Sequence, residues 1–84
     1  MSRVVIYSRD WCGYCTAAKM FLKAKGIDFE EIDLTDDDAG SAALTERTGR
    51  TAVPQIFIGD THVGGWDELR ALDRAGKLQP LLAD

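Results

Sequence analysis

The run Val4-Val5-Ile6-Tyr7, followed closely by a stretch with helical spacing and then by a second extended run, constrains this chain more than any other feature. Val4 to Tyr7 reads as a strand buried on both faces. Beyond it, Ala18, Phe21 and Leu22 fall on one helical face with Lys19, Lys23 and Lys25 on the other, and Gly26 suits the terminator of that helix. Phe29, Glu31 and Asp33 alternate with Glu30, Ile32 and Leu34 in a second strand. Thr35 is the expected N-cap of a second helix, with Asp36, Asp37 and Asp38 in its first turn, Ala42, Ala43 and Leu44 along it and Gly49 at its end; Gly40 and Thr48 weaken that expectation. Gln55 to Ile58 and Thr61 to Val63 flank Gly59-Asp60, a hairpin signal. Gly64-Gly65 then opens a helix through Leu69 and Leu72 that ends near Gly76, and Leu78 to Ala83 forms a short turn. The order β-α-β-α-β-β-α implies an α/β fold: a four-stranded mixed sheet flanked by helices, with parallel strand–helix–strand units and an antiparallel closing hairpin.

With 84 residues the chain is expected to form a single domain, residues 1–84. Its 45% hydrophobic and 29% charged residues are an ordinary globular balance, and a formal net charge of −4 disfavours nucleic acid or an anionic membrane as the main partner. The first apolar run ends at Ser8, too short for a signal core or a membrane span, so a cytoplasmic location is expected. In that reducing compartment Cys12 and Cys15 are not read as a structural staple. Redox chemistry or metal binding remains.

The cysteines lie where the first strand feeds the first helix. A thiolate attacks where a thiol does not, and a helix N-terminus presents unpaired N–H groups and the positive end of the dipole, which favour it. Cys12 is placed to be that nucleophile. Cys15, about one turn later, is close enough to resolve a mixed disulfide formed on Cys12. Arg9 adds a cation that favours the thiolate or holds an anionic substrate. Half of a zinc site would show the same spacing, but tetrahedral zinc takes four ligands and the chain adds only His62, which reads as a surface strand residue.

Two further segments carry two readings each. In Ala52-Val53-Pro54, proline holds Val53 extended at the start of a strand. A cis bond there would bring the Val53 backbone beside Cys12, as an edge for a cysteine-containing peptide; an ordinary strand-initiating proline explains the same residues. In Gly64-Gly65-Trp66-Asp67-Glu68, the glycines and helix start suit a ligand carboxylate, and Asp67 suits an N-cap or a partner for a ligand ammonium; a glycine turn with a cap suffices equally.

Taken together, Cys12-Gly13-Tyr14-Cys15, the segment Gly49 to Ile58 and the segment His62 to Leu69 resemble the glutaredoxin family, most of all its small bacterial dithiol members, over Val4 to Leu82. The resemblance implies a thioredoxin-like fold and glutathione as reductant. It implies that Cys12 is the nucleophile and Cys15 the resolving thiol. It also implies that Arg9 pairs with the glycine carboxylate of glutathione, that Tyr14 lines the groove, and that the Val53 backbone, before a cis Pro54, pairs with the cysteinyl unit. Gly65, Trp66 and Asp67 would hold the γ-glutamyl end. The chain departs from the family at Gly13, where proline is usual, at Ala52, where threonine is usual, and in the bulk of Trp11 and Trp66. Trp11-Cys12-Gly13 is also similar to thioredoxins, which lack the matching glutathione clamp.

Three functions follow as expectations. The first is an enzyme that reduces protein disulfides and protein–glutathione mixed disulfides. The second, motivated by Gly13, is a dimer holding a [2Fe–2S] cluster through Cys12 and glutathione of each subunit. The third is a hydrogen donor reduced by a flavoprotein, which Arg9 and the Trp66-Asp67 clamp argue against. Without a cluster the chain is expected to be a monomer.

Overall fold

Four strands and four helices account for most of residues 2–83, which the computed structural model describes. The strands are β1 (Val4–Ser8), β2 (Glu30–Asp33), β3 (Gln55–Ile58) and β4 (Thr61–Gly64), and the helices are α1 (Gly13–Ala24), α2 (Asp38–Thr48), α3 (Trp66–Arg74) and α4 (Leu78–Ala83). The sheet order is β2-β1-β3-β4. β1 runs parallel to β2, whereas β3 is antiparallel to both β1 and β4, with an irregularity between Ile56 and Phe57. The mixed sheet is as expected, but only one strand–helix–strand unit is parallel. The link through α2 returns the chain beside β1 in the opposite sense, so the antiparallel part includes an inner strand.

Burial explains the patterning. Every residue of β3 is buried, whereas in β1 Val4, Ile6 and Ser8 are buried and the residues between them are half-buried. One face of the sheet packs Val4, Ile6, Ile56 and Ile58 with Ala18 and Leu22 of α1, Leu69 of α3 and Leu78 and Leu82 of α4. The other face packs Phe57 with Leu34 and with Leu44 of α2, flanked by Tyr7 and Ile32. Fully burying such an aliphatic side chain contributes ~1.5–3 kcal/mol. Leu78 anchors α4, so the expected C-terminal turn is a short helix that belongs to the larger core.

The helix ends follow local chemistry. Gly26 ends α1 in a left-handed conformation (φ 71°), its N–H donating to the Lys23 carbonyl. Gly49 ends α2 in the same way (φ 73°). The start of α2 differs from expectation: Asp37 is the N-cap, accepting from the Gly40 N–H at 2.8 Å. Thr35 is drawn away because its N–H donates to Asp33 Oδ1 and its Oγ1 accepts from the Asp10 N–H, both at 2.8 Å. Gly40 is part of the device, since a Cβ there would run into the Asp37 carboxylate. Among the described residues no helix is long and apolar enough to cross a membrane.

Candidate active site

β1 delivers the chain to the N-terminus of α1, and Cys12 is the N-cap of that helix, with extended backbone (φ −106°, ψ 105°). Its Sγ accepts from the Cys15 N–H at 3.1 Å and lies 3.7 Å from the Val53 carbonyl oxygen. Neither cysteine is in a disulfide; Cys12 is half-buried, while Cys15 is 1% exposed. Burial, and then the hydrogen bond with Cys12, push the Cys15 thiol up to about 12, while the Arg9 backbone and the Lys19 charge pull weakly the other way. Lys19 is tied to Glu31 at 2.8 Å, and the buried Ser8 Oγ donates to the same carboxylate oxygen at 2.6 Å. The Lys19 and Ser8 hydrogen bonds hold the Glu31 carboxyl below its ordinary range.

The second wall comes from the entry to β3. The Val53–Pro54 peptide is cis. Behind it, Gln55 is 1% exposed and fully used: its Nε2 donates to the Ala52 carbonyl at 2.9 Å and its Oε1 accepts from His62 Nε2–H at 2.7 Å. The His62 ring lies over Phe57, with centroids 4.9 Å apart. Burial, and then the positive charges of Arg50 and Arg47, hold His62 below its ordinary value.

The third wall is the start of α3. Gly65, not Asp67, is the N-cap, and its N–H donates to Glu68 Oε1 at 2.8 Å, one half of a capping box. The same oxygen accepts from Arg50 Nη1 at 2.7 Å, and these two bonds hold Glu68 below the usual carboxylate range. Trp66 packs edge-on against Phe21, with centroids 5.5 Å apart, and Arg70 ion-pairs with Asp67. The first N–H groups of a helix have no partner within it, so the turn that carries Trp66 and Asp67 is suited to a carboxylate.

Tyr14, Val53, Pro54, Gly65, Trp66 and Asp67 come together as one groove of about 170 Å³. Arg9 is not in that groove. It lines a neighbouring hollow of about 430 Å³ with Cys12 and Trp11. Its guanidinium donates to Ser41 Oγ at 2.8 Å and to the Thr51 carbonyl at 3.5 Å. Sequence reasoning passed over Arg50, Gln55 and Glu68, which also line the groove. A glycine N-cap followed three residues later by Glu was a signal for Glu68; Arg50 and Gln55 carried none. A further hollow of about 630 Å³ holds neither cysteine; it is bordered by Arg3 and Val4, at the end of β1 away from Cys12.

Known proteins share this sequence pattern and this fold. A sequence model of the Glutaredoxin family matches residues 4–63. A glutaredoxin of Pseudomonas aeruginosa is 53% identical over 83 residues, covering 99% of both chains. Glutaredoxin 3 of Escherichia coli K12 is 46% identical over 82 residues, covering 98% of this chain and 99% of that one. Among solved structures, the buckwheat glutaredoxin–glutathione complex superposes with a TM-score of 0.90 at 38% identity, covering 98% of this chain and 77% of that one. The chain belongs to the glutaredoxin family and has its thioredoxin-like fold.

Proposed function

We propose that this thiol–disulfide oxidoreductase takes its electrons from glutathione, and that its substrates are protein disulfides and protein–glutathione mixed disulfides. The observation that carries the reading is the asymmetry of the two sulfurs: Cys12 is partly open between the Val53 carbonyl and the Cys15 N–H, and Cys15 is sealed behind it. The likeness to the buckwheat glutathione complex supports glutathione as the occupant of the groove.

In this reading the Val53 backbone pairs with the cysteinyl unit of glutathione, beside Tyr14 and Pro54. Gly65, Trp66 and Asp67 take the γ-glutamyl end, and Arg9 the glycine carboxylate. Cys12 thiolate attacks the glutathione sulfur of a mixed disulfide. The Cys12–glutathione bond forms, the bond to the protein sulfur breaks, and the protein thiolate leaves and takes up a proton. A second glutathione thiolate then attacks the same glutathione sulfur, releasing glutathione disulfide and restoring Cys12. For a protein disulfide, Cys12 first becomes joined to the substrate. Cys15 then loses its proton and attacks Cys12 Sγ, which frees the second substrate thiol and leaves a Cys12–Cys15 disulfide for two glutathiones to reduce. The reading places the protein in the cytosol, where glutathione is the thiol reservoir.

The test is a pair of variants assayed with glutathione. Cys15→Ser keeps reduction of mixed disulfides and loses dithiol reduction of protein disulfides; Cys12→Ser loses both. Activity retained in Cys12→Ser overturns the assignment.

A [2Fe–2S] reading rests on Gly13, where an added Cβ would meet nothing within 4 Å beyond its chain neighbours. A cluster takes four ligands, and this chain offers one accessible sulfur, so two chains and two glutathiones would hold it through Cys12. Visible absorption and a dimeric mass after purification without oxygen support that reading; a colourless monomer excludes it.

A further inference from the structure

Trp11 is fully exposed and sits in a left-handed conformation (φ 59°), which bulky side chains rarely adopt. Both of its flanks are held: the Asp10 N–H by Thr35 Oγ1 at 2.8 Å, and Cys12 as the cap of α1. A gripped backbone therefore presents a bare indole beside the nucleophile. Trp11 lines the hollow that also contains Cys12 and Arg9, next to the groove in which Tyr14, Val53 and Trp66 meet. Of the cations in that hollow, Lys19 is paired with Glu31, and Arg9, assigned above to the glycine carboxylate of glutathione, also donates to Ser41.

We infer that Trp11 is a specificity-determining contact for the polypeptide that carries the target cysteine, resting on the function proposed above. The argument is continuity with the reaction site. Every sulfur that reacts with Cys12 brings its substituents to the rim of these two concavities. When glutathione lies along the groove and reaches Arg9, the protein half of the mixed disulfide leaves on the Trp11 side of Cys12. An indole suits a polypeptide there, because it is rigid, has a wide apolar face and adds one N–H donor.

The test compares two disulfides under glutathione turnover: a glutathionylated peptide with an apolar residue beside its cysteine, and bis(2-hydroxyethyl) disulfide, which has no polypeptide. Trp11→Asn removes the ring while keeping a residue that tolerates the left-handed backbone; Trp11→Phe restores an aromatic face. In Trp11→Asn the ratio of kcat/KM for peptide over small disulfide falls by about five- to tenfold through KM, and Trp11→Phe recovers most of it. The rate of Cys12 alkylation is the same in all three proteins. Equal losses on both substrates, or an unchanged ratio, overturn the inference and leave the glutathione reading standing. A wild-type dimer that Trp11→Asn dissociates also overturns it, because a second copy would then be the occupant. Wild-type protein idle on both substrates sinks the glutathione reading itself, and the inference with it.

Discussion

Cys12 and Cys15 stand one helical turn apart in surroundings that split their chemistry. Cys12 caps the helix and meets solvent, whereas Cys15 is buried and its thiol is pushed up to about 12. Iodoacetamide near neutral pH should therefore label one thiol in the folded reduced chain, at Cys12, and a second only on unfolding; mass spectrometry of the alkylated protein checks this, and two labels in the native state would contradict it. Gln55 is the less visible residue at this scale. Both ends of its buried amide are bonded, to the Ala52 carbonyl and to His62, so Gln55→Ala leaves those partners without their bonds. A loss of about 1–3 kcal/mol in stability is expected from denaturant unfolding. Loosening of the Ala52-Val53 backbone should also raise KM for glutathionylated substrates more than it lowers kcat. The place of the cysteines at a helix start was legible in the sequence because it is a local matter. Gln55 was not, because its meaning depends on His62 from the next strand.

The helix starts show how an element can be right while its cap is wrong. Thr35 and Asp67 are sound capping residues by type, but the structure uses Asp37 and Gly65. Competing side-chain bonds decide: Thr35 answers Asp10, and Asp67 answers Arg70. Gly40 weakened the expectation of α2 on propensity, yet it is the residue whose N–H the Asp37 cap receives. The direction of β3 was misread for a different reason, since strand pairing is settled by contacts distant in sequence. At α3, Glu68 serves both the Gly65 N–H and Arg50. Glu68→Ala should cost about 0.5–2 kcal/mol, a usual capping loss, measurable as a lower urea midpoint. It should also weaken glutathione binding by freeing the helix start that carries Trp66 and Asp67.

At the scale of the molecule, nine buried side chains from the sheet, α1, α3 and α4 form the larger core, with Leu22 fully buried at its centre. Leu22→Ala should destabilise by about 2–5 kcal/mol in equilibrium unfolding. Stability should also depend on acid in a defined direction. Glu31 and Glu68 lie below the ordinary value of 4.5, so each stabilises the fold fully above that pH and loses the contribution as pH falls through its own lower value. His62, held below 6.5, acts in the same sense, because the unfolded chain takes up its proton first. Melting temperature should fall on acidification from about pH 7 to about pH 3, most steeply below pH 4.5, and Glu68→Gln should flatten the lower part of that curve.

The inner position of β3 has a consequence for what happens when the molecule fails. Cys12 belongs to the segment that follows β1, while the Val53 carbonyl and the Trp66 turn arrive from the far side of the chain, joined to it by the pairing of β1 with β3. If that seam parts, both sulfurs survive but the groove does not. The chain becomes a loose dithiol, free to exchange with any disulfide it meets. On the proposed function, discrimination among partners is then a property that melts with the sheet, and heating near neutral pH should leave an exchanger that no longer selects its disulfides.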